Sequence, residues 1–342
     1  MKESYGIDIG MGSIKLVGIE DENGSLRLKT LGETKNPVVD WVKGGIKSKS
    51  IETVAGAIKM LLSDMRIKPP QIVASLPEDE VISRLIHLPP LKDSEITEAL
   101  RFEAETFVPY PLAEVSIDYE VVDRDDAGRL SVFAIAAKNE VIQIFVKLFK
   151  EIGVPLAALE SPAIATRRVV SLNISDEKAV MVVDMGEKYS DLISFARGHV
   201  YFTRTMSVGG ESLTRAISIN LGLDMASAEE YKKAYGMKEM ELEGKIKNSI
   251  LPVFSSMSEE IRRGMVLYRE EVGRPVELLV LSGGGANMPG LAEELTRLLG
   301  VEVQMIQPLT KIDTTRIVMP INANSEGCRF SLAIGSALRG MV

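Results

Sequence analysis

Twice in this chain an apolar strand runs into the same kind of turn. Residues 4–20 alternate apolar and polar through Asp8-Ile9-Gly10-Met11-Gly12-Ser13-Ile14-Lys15, and residues 180–206 do so again through Asp184-Met185-Gly186-Glu187-Lys188-Tyr189-Ser190-Asp191. Alternation with a period of two, interrupted by glycine, is the pattern of strands joined by hairpin turns. Each opening later feeds helices, so the repeat predicts two similar α/β lobes facing each other. A chain of 342 residues is long enough to divide its core in this way.

Composition removes several classes of function. With 48 acidic and 40 basic residues the net charge is −8 and the signs are interleaved, which excludes the basic footprint of a nucleic-acid binder. Cys328 is the only cysteine, and His87 and His199 are the only histidines, so neither a disulfide framework nor a Cys/His zinc cluster can be assembled. Both histidines fall in predicted strands and read as surface or satisfied core residues, and the 16 methionines read as core. No apolar run reaches the ~18 residues of a spanning helix and no signal-peptide core is present, so a cytoplasmic protein without direct membrane insertion is expected.

Between the two openings, a loop over 32–50 precedes a helix over 51–64 and a short strand over 71–76. Trp41 reads as packing under that loop, and the run Lys43–Lys49 as a solvated face. Residues 78–137 have their own rhythm: strand 81–88, helix 94–107 with Asp93 and Ser94 as candidate caps, strands 115–122 and 130–137. The spacing puts Ile96, Leu100, Glu103 and Phe107 on one stripe of that helix. This strand-helix-strand-strand insert interrupts the first lobe, which is expected to span 1–77 and 138–175. The second lobe spans 176–326, and a buried small-residue helix within 327–342 returns to the first.

Three segments carry candidate chemistry. In the first turn Gly10, Gly12 and Ser13 allow backbone N–H groups to close on a phosphate, Lys15 adds a compact cation, and Asp8 at a strand end can hold a hydrated Mg²⁺. This is neither a GxGxxG nor a Walker A loop. In the second turn Asp184, Gly186 and Ser190 repeat the arrangement, and an Asp on each of two opposed loops is what chelating one metal-triphosphate between lobes requires. The third is Ser282-Gly283-Gly284-Gly285-Ala286-Asn287-Met288, a strand running through three glycines into a helix, which allows close backbone approach to a ligand.

Taken together, these segments resemble the actin, Hsp70 and sugar-kinase ATPase superfamily over nearly the whole chain. The resemblance implies duplicated ribonuclease-H-like lobes, phosphate loops at Asp8–Lys15 and Asp184–Asp191, and an adenosine loop with Gly283, Gly284, Asn287 and Met288. Glu160-Ser161-Pro162-Ala163 and Ala333-Ile334-Gly335-Ser336-Ala337 look like its two connecting helices. Ala228-Glu229-Glu230-Tyr231-Lys232 is similar to a helix of the bacterial actin-like branch, in which the glutamate meets the ribose and the lysine lies by the adenine. Within the superfamily, Arg84-Leu85-Ile86-His87-Leu88-Pro89, the run Glu103–Leu112 and Asp118-Tyr119 resemble the PilM family of type IV pilus assembly, as do Phe202-Thr203-Arg204 and Gly209-Gly210-Glu211. That family shares an FtsA-type insert.

The resemblance implies a cytoplasmic binder of ATP and Mg²⁺ that recruits the N-terminal tail of a bitopic inner-membrane protein, PilN-like, and so sits at the membrane through a partner. Other pilus-machinery proteins and self-association stay open as partners. Asp8 and Asp184 are the candidate catalytic residues and the candidate metal holders, through water. Glu187, Lys188 and Tyr189 stand where strong hydrolysers have further glycines, so tight nucleotide holding with weak or no turnover is expected. Two other readings stand beside this one. A polymerising FtsA-like division protein predicts a basic amphipathic helix after Gly340, and a small-molecule kinase predicts a sugar-binding constellation; the text supplies neither.

Overall fold

A computed structural model describes residues 2–46, 48–319 and 321–341, with Asn324 described through its backbone alone. Residues 1 and 342 at the ends of the expected lobe ranges, and Lys47 of the lysine run, lie outside the described residues.

The first sheet is built from β1 (Lys2–Ile9), β2 (Ser13–Glu22), β3 (Ser25–Lys35), β4 (Ile72–Ser75) and β8 (Leu156–Glu160), in the order β3-β2-β1-β4-β8. The second uses β9 (Val180–Met185), β10 (Ser190–Ala196), β11 (His199–Met206), β12 (Leu278–Ser282) and β13 (Glu302–Met305), in the order β11-β10-β9-β12-β13. In both, the opening strand pairs antiparallel with the next and parallel with the strand that follows the first helical crossover. The same plan occurs twice, as the repeated openings predict. β9 and β12 are buried on nearly every residue, which is why they read as continuous apolar runs and not as alternation.

A third sheet of β5 (Val81–Leu88), β7 (Leu130–Lys138) and β6 (Val115–Arg124), with α2 (Asp93–Ala104), forms the strand-helix-strand-strand insert. The helix differs in detail from its expected form. It buries Ile96, Leu100 and Ala104, ends before Phe107, and starts with the Glu95 carboxylate accepting from the Lys92 N–H at 2.8 Å, so neither Asp93 nor Ser94 caps it. Glu103 is half exposed, because the i, i+4, i+8 row from Ile96 passes through Ala104.

Crossover helices cover the sheets: α1 (Ser50–Asp64), α3 (Asn139–Ile152) and α4 (Pro162–Asn173) belong to the first half, α5 (Gly210–Leu221), α6 (Met225–Tyr235), α7 (Lys245–Val272) and α8 (Leu291–Leu299) to the second. α3 buries Val141, Ile144, Phe145, Leu148, Phe149 and Ile152 in one helical stripe, with Trp41 packed on Phe145 at 5.1 Å. α4 starts at Ser161, whose hydroxyl accepts from the Ala163 N–H at 3.2 Å, with Pro162 preset in the first turn.

Two short helices, α9 (Ala323–Glu326) and α10 (Ser331–Ala337), end the chain. α10 crosses back onto β1 and α4, and the approach needs glycine. A Cβ at Gly6 would overlap the backbone of Ala333 and Ala337, and one at Gly335 would overlap that of Ala165. Glu160 seals the junction, taking Arg168 at 2.7 Å and Arg339 at 2.7 Å.

The insert is fastened to the second half. Ser83 and Thr203 hydroxyls lie 2.5 Å apart, His87 Nε2 meets Glu271 at 2.7 Å, His199 Nδ1 meets Glu120 at 3.1 Å, and Arg197 meets Asp123 at 3.1 Å. Both histidines therefore serve as structural bridges.

Candidate functional site

The C-terminal ends of β1, β4, β9 and β12 open onto one cleft between the halves, a cavity of about 1130 Å³, above the ~300–1,000 Å³ usual for small-ligand sites. Its walls are the three segments singled out by sequence. Asp8, Gly10, Gly12, Ser13 and Lys15 line one side, Asp184, Gly186 and Asp191 face them, and Gly283, Gly284, Asn287 and Met288 form the floor.

In the first turn Asp8 stands directly opposite Lys15 across the hairpin, and the two form an ion pair at 3.2 Å. Asn36, which sequence reasoning passed over, holds the turn. Its backbone N–H donates to the Gly12 carbonyl at 3.1 Å and its amide Nδ2 to the Gly10 carbonyl at 2.8 Å. Both carbonyls are thereby satisfied within the first half.

In the second turn Asp184 stands opposite Asp191. Loss of hydration, then the charges of Asp191 and Asp8, push Asp184 up to about 7, with Lys15 opposing. Burial raises Asp191 as well, and the Thr205 hydroxyl, donating at 2.7 Å, opposes it. The turn is braced by the start of α5, where the Gly210 N–H donates to the Gly186 carbonyl at 3.0 Å and the Glu211 N–H to the Glu187 carbonyl at 2.7 Å.

Ser190 and Gly209 do not face the cavity. Ser190 is fully buried and donates to the Val208 carbonyl at 2.7 Å, while Gly209 lets its backbone lie on that of Glu187 and Lys188, where a Cβ would be 2.5 Å from the Glu187 carbonyl. Both shape the turn.

Glu229 and Lys232 do reach the cleft wall, already engaged with each other. Lys232 Nζ donates to the Gly210 carbonyl at 2.9 Å and to Thr214 Oγ1 at 2.8 Å, and pairs with Glu229 at 2.7 Å. Burial alone would raise the Glu229 carboxyl; the hydrogen bonds from Lys232 and Thr214 outweigh it and hold the group below its usual range. Lys232 is therefore a brace between α5 and α6, and Glu229 keeps a charged face toward the cleft.

The floor depends on Gly283, whose φ of +81° puts it in the left-handed region and whose Cβ would strike Asp184 and the Met185 carbonyl. Cys328 lies beneath, its thiol directed at Gly283 and Asn287. Burial and then the Asp184 charge push it up to about 11, so it stays a thiol.

The mouth of the cleft is crossed by charged side chains from both halves. Lys188 of the second turn pairs with Asp40 at 2.6 Å, and Lys43 reaches Asp40 at 3.6 Å and Asp79 at 3.3 Å. Lys43 is exposed, as expected for its run, and makes both pairs from the surface. Glu187 crosses as well, its carboxylate lying against Gly12 where a Cβ would otherwise be. Glu78, at the root of the insert, was also not singled out; it lines the cleft and is 6% exposed. Among the described residues no three carboxylates, histidines or cysteines converge as a direct metal cage, so a cation here would keep much of its water.

The sequence profile described as "Type IV pilus assembly protein PilM" matches residues 6–341. The chain is a member of the PilM family. A solved structure titled "PilM-PilN type IV pilus biogenesis complex" superposes with a TM-score of 0.85 at 26% identity, over 99% of this chain and 98% of that one. The cell division protein FtsA of Streptococcus pneumoniae is 23% identical over 349 residues, covering 89% of this chain and 75% of that protein. MreB 5 of Spiroplasma citri bound to AMPPNP shares the fold at a TM-score of 0.56 and 13% identity, over 99% of this chain and 96% of that one. This PilM-family chain has the two-lobed actin-like ATPase fold, as the resemblance of its segments implies.

Proposed function

We propose that this PilM-family protein is an ATP-binding assembly platform that takes up the N-terminal tail of a PilN-like membrane protein in a nucleotide-sensitive way. The observation that carries the nucleotide half is the pair of opposed Asp-x-Gly turns across one cleft, with Lys15 as the fixed cation. The donor set fits a hydrated Mg²⁺-triphosphate: carboxylates without a direct cage, glycines lining the cleft beside Lys15, and an open Gly284 at the floor, where a Cβ would meet nothing within 4 Å. In this reading Asp8 and Asp184 hold the cation through water, Gly10, Gly12, Ser13, Lys15 and Gly186 receive phosphates, and Glu229, Asn287 and Met288 border the nucleoside. When bound, Mg²⁺ would neutralise charge on the phosphates. The acidic Glu187 against Gly12 crowds the place of a terminal phosphate, which favours slow turnover.

Support for the partner half comes from the matched complex of PilM with PilN and from the insert. One face of the insert is held on the second half by Ser83, His87, Glu120 and Asp123, so the tail docks on the side of residues 78–137 turned toward the first half. We take residues 1–77 and 138–175, 78–137 and 176–326 as the three units of this platform. Among the described residues no helix is long and apolar enough to cross a membrane, so placement at the inner membrane would come through the partner.

The test is to purify the protein without added nucleotide, denature it and chromatograph what is released, then titrate ATP and the partner's N-terminal peptide by calorimetry. Released or tightly bound ATP with little ADP formed, and a peptide affinity that changes with nucleotide, is expected. Absence of nucleotide binding would overturn the first half of the reading; equal peptide affinity with and without ATP would overturn the coupling.

A further inference from the structure

Glu78 is unusual among the acidic residues of this protein. It is 6% exposed, and neither carboxylate oxygen has a hydrogen-bond partner. The Thr203 hydroxyl, 2.5 Å from that of Ser83, lies close enough to favour the charged form of Glu78. Burying a carboxylate unpaired is costly, so a native chain that keeps one at a cleft has a use for it.

The surroundings indicate the use. The neighbours acting on Glu78 are Asp191, Asp79 and Asp184, all lining the same cavity. Asp79 is paired with Lys43. Asp184 and Asp191 face each other on β9 and β10 with no ion pair of their own, and Lys15, the cation nearby, is paired with Asp8 at 3.2 Å. The cluster of Glu78, Asp184 and Asp191 therefore holds more carboxylates than the one neighbouring cation, Lys15, can match. A hydrated divalent cation supplies the remaining positive charge, and its water shell supplies the donors Glu78 lacks.

Position adds a consequence. Glu78 sits in the turn between β4 of the first sheet and β5 of the insert, while Asp184 and Asp191 belong to the second sheet. A cation reached by all three would join first half, insert and second half at one point.

We propose that Glu78 is the insert's own contact to the cleft cation, made through water, so that cation binding fixes the root of the insert to the second half. This deepens the metal–nucleotide reading and rests on it for the nucleotide. It assigns the relay between cleft and insert to one side chain.

The test compares wild type with Glu78→Gln, and with Glu78→Met as an apolar variant of similar length should the first not fold. Mn²⁺ is titrated by electron paramagnetic resonance with and without a non-hydrolysable ATP analogue, and backbone hydrogen exchange of residues 78–84 is followed with and without the cation. The expected result is a Mn²⁺ midpoint ~10-fold weaker in the variant. Analogue binding in EDTA should stay unchanged, and cation-induced protection of 78–84 should be lost. Equal or tighter Mn²⁺ midpoints in the variant would overturn the proposal. If wild type binds no analogue, the nucleotide reading falls, and the Mn²⁺ midpoints without analogue still decide Glu78.

Discussion

The turns at 8–15 and 184–191 share a backbone plan and differ in charge. Each is a hairpin at the C-terminal end of a central strand, with an Asp two residues before a glycine, and each packs on the other across the cleft. In the first, the residue opposite the Asp is Lys15, and the pair is internally matched. In the second it is Asp191, and the pair is mismatched; burial and then this like charge push Asp184 up to about 7. Duplication of a fold conserves where side chains point; it leaves open what they are. The matched turn is a ready cradle for anions, and the mismatched one creates demand for a cation.

The strongest way to break this comparison is to remove each Asp. Asp8→Asn and Asp184→Asn should both weaken Mg-ATP by on the order of 100-fold in calorimetry, but in nucleotide-free protein at pH 8 they should diverge. Asp184→Asn should raise the melting temperature by relieving like charge, and Asp8→Asn should lower it by leaving Lys15 unmatched. Melting shifts of the same sign would show that the two turns are electrostatically alike.

Next in size is backbone geometry. Gly283→Ala, which forces a Cβ at positive φ against Asp184 and the Met185 backbone, should cost about 2 kcal/mol in urea unfolding. Gly12→Ala, which meets only the movable Glu187 side chain, should cost less than about 1 kcal/mol. Similar losses would mean that the first turn is as tightly fitted as the second.

The pH dependence sharpens the charge argument. In the unfolded chain Asp184 titrates near 4, whereas in the fold it is raised to about 7, with Asp191 and Glu78 also raised. The native state thus binds more protons than the unfolded state between those values. This contribution to stability is full below pH 4 and is lost as pH rises through 7. Nucleotide-free protein should lose on the order of 1 kcal/mol from pH 5.5 to 8.5, and Mg-ATP should restore it. A melting temperature that rises over this range would contradict the mismatch.

The smallest effect is expected at the mouth. Lys188 and Asp40 are partly exposed, so Lys188→Ala should barely move the melting temperature while speeding nucleotide release in stopped-flow displacement. An unchanged release rate would remove the crossing pair from the account of how the cleft holds its ligand.

Much of this site was legible before folding, and for a physical reason. A hairpin turn with Asp and Gly is a local object, so Asp8, Gly10, Gly12, Asp184 and Gly186 could be read from their own neighbours. Ser190 and Gly209 belong to the same local text, yet they turned out to shape the turn from inside, because facing inward or outward in a buried strand is a matter of tertiary packing. Glu229 and Lys232 were recognisable as a pair, but the third partner, Thr214, comes from another helix. Asn36, Asp40, Lys43 and Glu78 stand in loops with no periodicity, and nothing within a few residues of Glu78 indicates that it will be buried unpaired.

The amino-acid sequence alone determined the duplicated α/β plan and the insert, because alternation, glycine spacing and helix stripes are short-range consequences of the backbone, and the family was legible in the resemblance of its segments. Only the tertiary structure decided which carboxylates share a cleft without a cation and that the insert is fastened to the second half. Charge balance and burial are sums over residues far apart in the chain, and no stretch of sequence contains them.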